Sequence, residues 1–182
     1  MTIGVFMAEG LEEIEGLTVV DLCRRAEIET LMISIGETRN VRGAHGIEIV
    51  ADRLLDEVEF DRLDMIVLPG GMPGTLNLKA CEPLMEKVME FDAAKKGLAA
   101  ICAAPMIFGH LGLLKGRKAC CYPGMEGELK EAVTCQEKVC VSDHIITGRG
   151  VGTAIEFALA IVARFRGDDA AAELAAGIVY AG

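Results

Sequence analysis

The residue best placed by its neighbours for covalent chemistry is Cys102, in the stretch Gly97–Gly109, GLAAICAAPMIFG. The apolar run Leu98–Ile101 is the length of one buried strand, Ala103 and Ala104 are small, and Pro105 opens a segment able to continue as a helix. Strand, tight turn and helix make a nucleophile elbow, which projects a thiol from the sheet edge near the free N–H groups of the next helix. Those groups and the helix dipole favour thiolate over thiol. The alternative for the same residues is a buried, inert cysteine. Glu12, Glu13 and Glu15 crowd the first turn of a helix, where carboxylates complement the dipole. A solvated helix start accounts for them equally well. In an apolar, glycine-lined site, however, the Glu15 carboxyl would have a raised pKa and act as proton donor or base.

The diglycine Gly70-Gly71 after Pro69 reads as a turn, or as backbone N–H offered to an oxyanion. His45, His110 and His144 lie in unrelated contexts, and none carries a motif marking it as a base for Cys102. Gly148–Gly152, GRGVG, lacks the Lys-Ser/Thr of a phosphate loop and falls late in the chain. Its glycines read as a tight strand–helix turn, with Arg149 as a salt-bridge or interface residue.

These groups need elements to position them. Ile3–Ala8 reads as a buried strand, followed by helical spacing from Leu11 through Arg25. Strands follow at Glu29–Gly36 and Ile47–Ala51, with a helical turn at Leu54–Val58. Asp64–Pro69 is the central strand, Gly74–Asn77 a loop, and Glu82–Ala94 an amphipathic helix. After the Cys102 strand and helix, Arg117–Tyr122 reads as a strand carrying the vicinal pair Cys120–Cys121. Lys138–Val141 and His144–Thr147 then form a hairpin around Ser142-Asp143. Thr153 and Glu156 match a T-x-x-E capping box before the apolar helix Ile155–Phe165. Asp168 or Asp169 caps a last helix that Gly177 stops. Alternating strands and helices predict an α/β fold, a mostly parallel sheet covered on both faces. Ligands of such sheets gather beyond the strands' carboxyl ends, where the loops after Ala8, Pro69 and Ile101 converge.

Composition fits that architecture. A chain of 182 residues, 52% hydrophobic, points to one domain with a full core that needs neither metal nor disulfide. A net charge of −10 argues against a general nucleic-acid binder. No basic, apolar leader opens the chain and no run approaches membrane-spanning length, so no membrane association is expected. Seven cysteines without C-x-x-C or a Cys/His cluster fit a reducing cytoplasm; Cys135 and Cys140 lack partners at zinc spacing, and no metal or organic cofactor is expected.

Taken together, E-E-I-E at Glu12–Glu15, VLPGG at Val67–Gly71, AICAAP at Ala100–Pro105 and TGRGVGTAIEFALAIV at Thr147–Val162 resemble the DJ-1/PfpI superfamily. Order and spacing agree over essentially residues 1–182, and LAAGIVY at Leu174–Tyr180 is most similar to the bacterial ThiJ/YajL group of the DJ-1 branch. The resemblance implies a flavodoxin-like three-layer α/β sandwich, usually a homodimer. It implies Cys102 as nucleophile, Glu15 as the carboxyl bonded to its sulfur, and Gly71 and Ala103 as backbone donors to an oxyanion. Gly70 and Tyr122 are expected at the pocket. Relatives of this kind act as glyoxalases or deglycases on small reactive carbonyls, or as oxidative-stress sensors and chaperones. Two departures narrow the reading. Ala103 stands where peptidases of the superfamily carry histidine, and Tyr122 precedes Pro123 where animal DJ-1 proteins carry histidine. A Cys-His protease is therefore disfavoured. The expected function is a glyoxalase- or deglycase-type lyase or hydrolase in which Cys102 attacks and Glu15 moves the proton. The alternative is a sensor in which Cys102 is oxidised to sulfenic or sulfinic acid.

Overall fold

A computed structural model describes residues 1–182. The elements are β1 (Thr2–Met7), α1 (Glu13–Arg25), β2 (Glu29–Ser34), β3 (Asn40–Arg42), β4 (Glu48–Val50), β5 (Arg53–Leu54), β6 (Met65–Leu68), α2 (Gly74–Ala80) and α3 (Glu82–Ala93). They continue with β7 (Gly97–Ile101), α4 (Pro105–His110), β8 (Lys118–Ala119), β9 (Val133–Thr134), β10 (Val139–Ser142), β11 (Ile145–Gly148), α5 (Ala154–Arg166) and α6 (Asp168–Gly177). Seven strands form the main sheet in the order β10-β11-β7-β6-β1-β2-β5. All neighbours are parallel except β10 and β11, the hairpin the sequence predicts.

The central strands are buried on both faces, so each alternates between two cores rather than between core and solvent. Ile3, Val5, Met7, Met65, Val67, Ala99 and Ile101 face Val19, Cys23, Phe157 and Ile161 of α1 and α5. Phe6, Ile66, Leu68, Leu98 and Ala100 face Leu84, Val88 and Phe91 of α3 and Ile107 and Phe108 of α4. This is the flavodoxin-like three-layer sandwich, and it places the ends of β1, β6 and β7 side by side. No helix is long and apolar enough to cross a membrane.

Several local expectations fail for identifiable reasons. Gly74–Asn77 is helical rather than a loop: Gly74 N–H donates to Gly10 O at 3.1 Å and Thr75 N–H to Gly71 O at 2.9 Å, so α2 starts against the β1 loop. The Arg117–Tyr122 strand shrinks to Lys118–Ala119, because Cys120 turns away to donate its N–H to Thr147 Oγ1 at 3.0 Å. Thr153 and Glu156 form no capping box. The Thr153 hydroxyl turns back to Gly150 O at 2.9 Å, and Glu156 pairs with Lys138 at 2.6 Å. Gly167, not Asp168 or Asp169, occupies the cap of α6, and no side chain bonds there. Cys135 and Cys140, which have no partners at zinc spacing in the sequence, are placed with their sulfurs in contact. Arg149 forms no salt bridge, and its buried Nη1 has no partner.

Candidate active site

Cys102 follows β7 directly and has a φ of +64°, a left-handed conformation that costs a non-glycine residue of order 1–3 kcal/mol. Two backbone bonds hold it there. Its N–H donates to Gly148 O at 3.0 Å, and its carbonyl accepts from Tyr122 N–H at 2.8 Å. The elbow is thus strapped between the end of β11 and the segment after β8, which lifts the side chain out of the sheet.

Glu15 reaches the same point from the first turn of α1. It is wholly buried, and its Oε2 accepts the Gly70 N–H at 2.9 Å. The Cys102 thiol lies close enough to this carboxyl for each to shift the other's titration, while the buried Oε1 has no hydrogen-bond partner. Gly70 explains why the two meet. A Cβ there would fall 2.6 Å from Cys102 Cβ and 2.7 Å from Glu15 Oε2, so only glycine lets sulfur and carboxyl close over the loop. Gly71 has a φ of +87°, and a Cβ on it would strike Glu12 N at 2.2 Å. The Gly70 carbonyl accepts the Glu12 N–H at 2.9 Å, which locks the diglycine loop to the start of α1.

The electrostatics differ from the sequence expectation. Burial pushes the Cys102 thiol up to about 12, and the Glu15 charge and hydrogen bond push the same way; the Ala103 and Gly71 N–H groups pull against them. The helix dipole expected to favour the thiolate is therefore opposed by burial and by the Glu15 charge. The helix offers little against them: α4 has six residues and begins three positions after Cys102, at a proline with no N–H to offer. Burial likewise raises Glu15 to about 7, opposed by its bonds to Cys102 and Gly70 and aided by the charge of Glu12. Sulfur and carboxyl behave as one pair. An ionised Glu15 holds the thiol neutral, whereas a protonated Glu15 ceases to repel a thiolate and donates a hydrogen bond to it.

A cavity of about 380 Å³ opens above the sulfur, lined by Gly71, Met72, Cys102, Ala103, Tyr122, Pro123, Gly124 and Met125. The structure therefore brings together Cys102, Glu15, Gly71, Ala103 and Tyr122. Gly70 lies beneath the cavity, between the two reacting side chains, rather than on its wall. Met72 and Met125 were not legible beforehand, because nothing in their spacing distinguishes a pocket methionine from a core one. The histidines are elsewhere. His45 bonds Glu13 at 2.8 Å, His110 bridges Lys79 and Glu128, and His144 lies between Asp92 and Asp143. Glu13, expected on a solvated helix face, is 2% exposed and clamps the β3–β4 hairpin, accepting the His45 N–H at 2.8 Å.

Comparison with known proteins gives matches over most of the chain. Residues 1–164 match the family model described as the DJ-1/PfpI family. Protein DJ-1 homolog A of Arabidopsis thaliana is 39% identical over 169 residues, covering 92% of this chain but 43% of its own length, so the chain spans less than half of that relative. The glutathione-independent glyoxalase DJR-1.2 of Caenorhabditis elegans is 33% identical over 168 residues, covering 88% of this chain and 86% of the relative. Among solved structures, oxidized DJ-1 of Toxoplasma gondii superposes with a TM-score of 0.95 at 35% identity, over 100% of this chain and 99% of that one. With the fold, the buried glutamate beside an elbow cysteine and these matches in agreement, the chain belongs to the DJ-1/PfpI family.

Proposed function

We propose that the protein is a cysteine-dependent enzyme of the glyoxalase/deglycase type, acting on small α-oxoaldehydes or their adducts. The observation that carries this reading is the Glu15–Cys102 pair at the floor of a small cavity, with the Ala103 and Gly71 N–H groups aimed at the same sulfur. For methylglyoxal, the sulfur bonds to the aldehyde carbon while Glu15 takes the thiol proton and passes it to the carbonyl oxygen, giving a hemithioacetal. Ala103 and Gly71 hold the oxyanion as it forms. Glu15 then removes the proton from the former aldehyde carbon and returns it to the neighbouring carbon, converting the ketone to an alcohol and the adduct to a thioester. Water attacks the thioester, the carbon–sulfur bond breaks, and a proton returns to the thiol with release of lactate. The sequence is redox-neutral, consumes one water and needs no cofactor. A glutamate titrating near 7 suits both directions of proton transfer at neutral pH.

The test follows methylglyoxal loss and lactate formation for the parent, Cys102→Ser and Glu15→Gln. The reading requires turnover by the parent and its loss in both variants; no parent turnover, or a Cys102→Ser variant equal to the parent, overturns it. A second reading, oxidative sensing at Cys102, draws on the same pair: a protonated Glu15 is a ready donor to a sulfinate oxygen once peroxide has oxidised the sulfur. Mass spectrometry after mild peroxide separates it, since oxidation scattered over all seven cysteines contradicts a sensing role.

A further inference from the structure

A second group of cysteines, which the chemistry of Cys102 does not use, meets where β8, β9 and β10 converge. Ala119 is in register with Thr134, and Cys135 N–H donates to Ala119 O at 3.0 Å, so Cys120 and Cys135 leave the β8–β9 pair at the same level. Cys140 lies opposite Thr147 in the β10–β11 hairpin. The Cys120 thiol donates to Thr147 O at 3.2 Å and lies 3.7 Å from Thr147 Oγ1. Three sulfurs are thereby gathered around Thr147. The Cys135 and Cys140 sulfurs are in contact with each other, and Cys120 stands apart as a free thiol.

Access distinguishes them. Cys120 is 0% and Cys140 2% exposed, whereas Cys135 is half-buried and flanked by the exposed Thr134, Gln136, Glu137 and Lys138. Only Cys135 meets a reagent from solvent. Cys135, Glu137 and Cys140 also bring their ligand-type atoms within 4.8 Å of one another, but Glu137 is ion-paired with Lys118. The third ligand is engaged, so dithiol chemistry fits the group better than a metal ion.

We propose that Cys135 and Cys140 form a reversible dithiol–disulfide centre, separate from Cys102, that reacts with low-molecular-weight disulfides while Cys120 stays reduced. The Cys135 thiolate attacks one sulfur of the small disulfide, whose S–S bond breaks; one small thiol leaves with the proton that Cys135 gave up. Cys140 then attacks the Cys135 sulfur of the mixed disulfide, and the second small thiol leaves with the Cys140 proton. Two protein thiols are oxidised, one small disulfide is reduced to two thiols, and the balance closes without another reactant. Cys120 takes no part because its thiol is turned to Thr147 O at 3.2 Å, whereas the Cys140 sulfur already touches that of Cys135. The bridge ties β9 to β10, the strand hydrogen-bonded to β11, whose last residue Gly148 holds the Cys102 N–H.

The experiment uses the full chain as Cys102→Ser, so that its outcome is independent of the proposed enzyme activity. The protein is equilibrated in mixtures of reduced and oxidised glutathione, acid-quenched, alkylated and peptide-mapped. The result expected is a Cys135–Cys140 linked peptide that grows with the oxidised fraction and disappears in reduced glutathione without unfolding. Adding Cys140→Ser traps one glutathione on Cys135, and adding Cys135→Ser traps none. Free alkylation of both cysteines at every ratio, a link that survives reduced glutathione in the native protein, or a link to Cys120 would each overturn the proposal.

Discussion

Two polar clusters sit at opposite ends of β7, and they are built on opposite principles. At its start, His144 is 1% exposed with both ring nitrogens on carboxylates, Nε2 2.7 Å from Asp92 and Nδ1 3.0 Å from Asp143. Arg117 adds a bond to Asp92 at 3.2 Å, and both aspartates are held below their ordinary range. For Asp92 burial works against this lowering and the bonds to His144 and Arg117 outweigh it; for Asp143 the His144 bond leads. Every charge has a partner of opposite sign. At the far end, Glu15 has no cation beside it, Oε1 has no hydrogen-bond partner, and Cys102 holds a strained backbone. Both carboxyl and thiol are pushed upward there. The first cluster is satisfied and therefore structural; the second is left in tension, and that tension is what a proton carrier near neutral pH requires.

Breaking the reactive end removes chemistry before it removes structure. Cys102→Ser should lower turnover of methylglyoxal by about 10³-fold or more, since a hydroxyl in this site is a far poorer nucleophile; steady-state kinetics read it. Glu15→Gln should cost about 10²- to 10³-fold in kcat, yet stabilise the fold. Glu15 has a folded pKa near 7 against an ordinary 4.5. The unfolded chain therefore gives up its proton first, and stability falls as pH rises from 4.5 to 7, the loss being complete above that. At pH 8 the variant should gain up to about 3 kcal/mol in denaturant unfolding, and at pH 4 the gain should vanish.

The paired end should respond the other way. Asp92→Ala leaves His144 and Arg117 without their shared carboxylate and should cost about 2–3 kcal/mol, a figure reduced from that of a fully buried pair because Asp92 is partly exposed. Activity per folded molecule should not change. A smaller effect comes from acid. Asp92 and Asp143 have lowered pKa values, so their stabilisation is present above pH 3.8 and lost as pH falls through their folded values below it. In Asp92→Ala the corresponding step in stability against pH should shrink, which urea titrations between pH 2 and 5 would show.

What the sequence made legible follows from the range of each interaction. Strand runs such as Met65–Leu68 and the helical period of α1 are local and were readable, as was the meeting of three strand ends from the alternation of elements. Cys102, Glu15 and the diglycine were legible as residue types on the right loops, and their combination matched a family. Depth of burial was not, so the opposition of burial and the Glu15 charge to a thiolate at Cys102 was not foreseen. The Thr153 hydroxyl looked like a cap because its sequence fits, but the glycine before it offered a nearer partner. α2 was hidden because its first backbone donors are satisfied by Gly10 and Gly71 rather than by a capping side chain. The Cys135–Cys140 pairing depends on the β8–β9–β10 register, which no local spacing encodes.

The most direct measurement is a site-resolved carboxyl titration of the protein carrying ¹³C-labelled glutamate, with Glu15 assigned by its absence in Glu15→Gln. A shared-proton pair with Cys102 predicts a Glu15 midpoint of about 7, well above its ordinary 4.5. A midpoint at that ordinary value would contradict the pair and, with it, the role of Glu15 as the proton carrier.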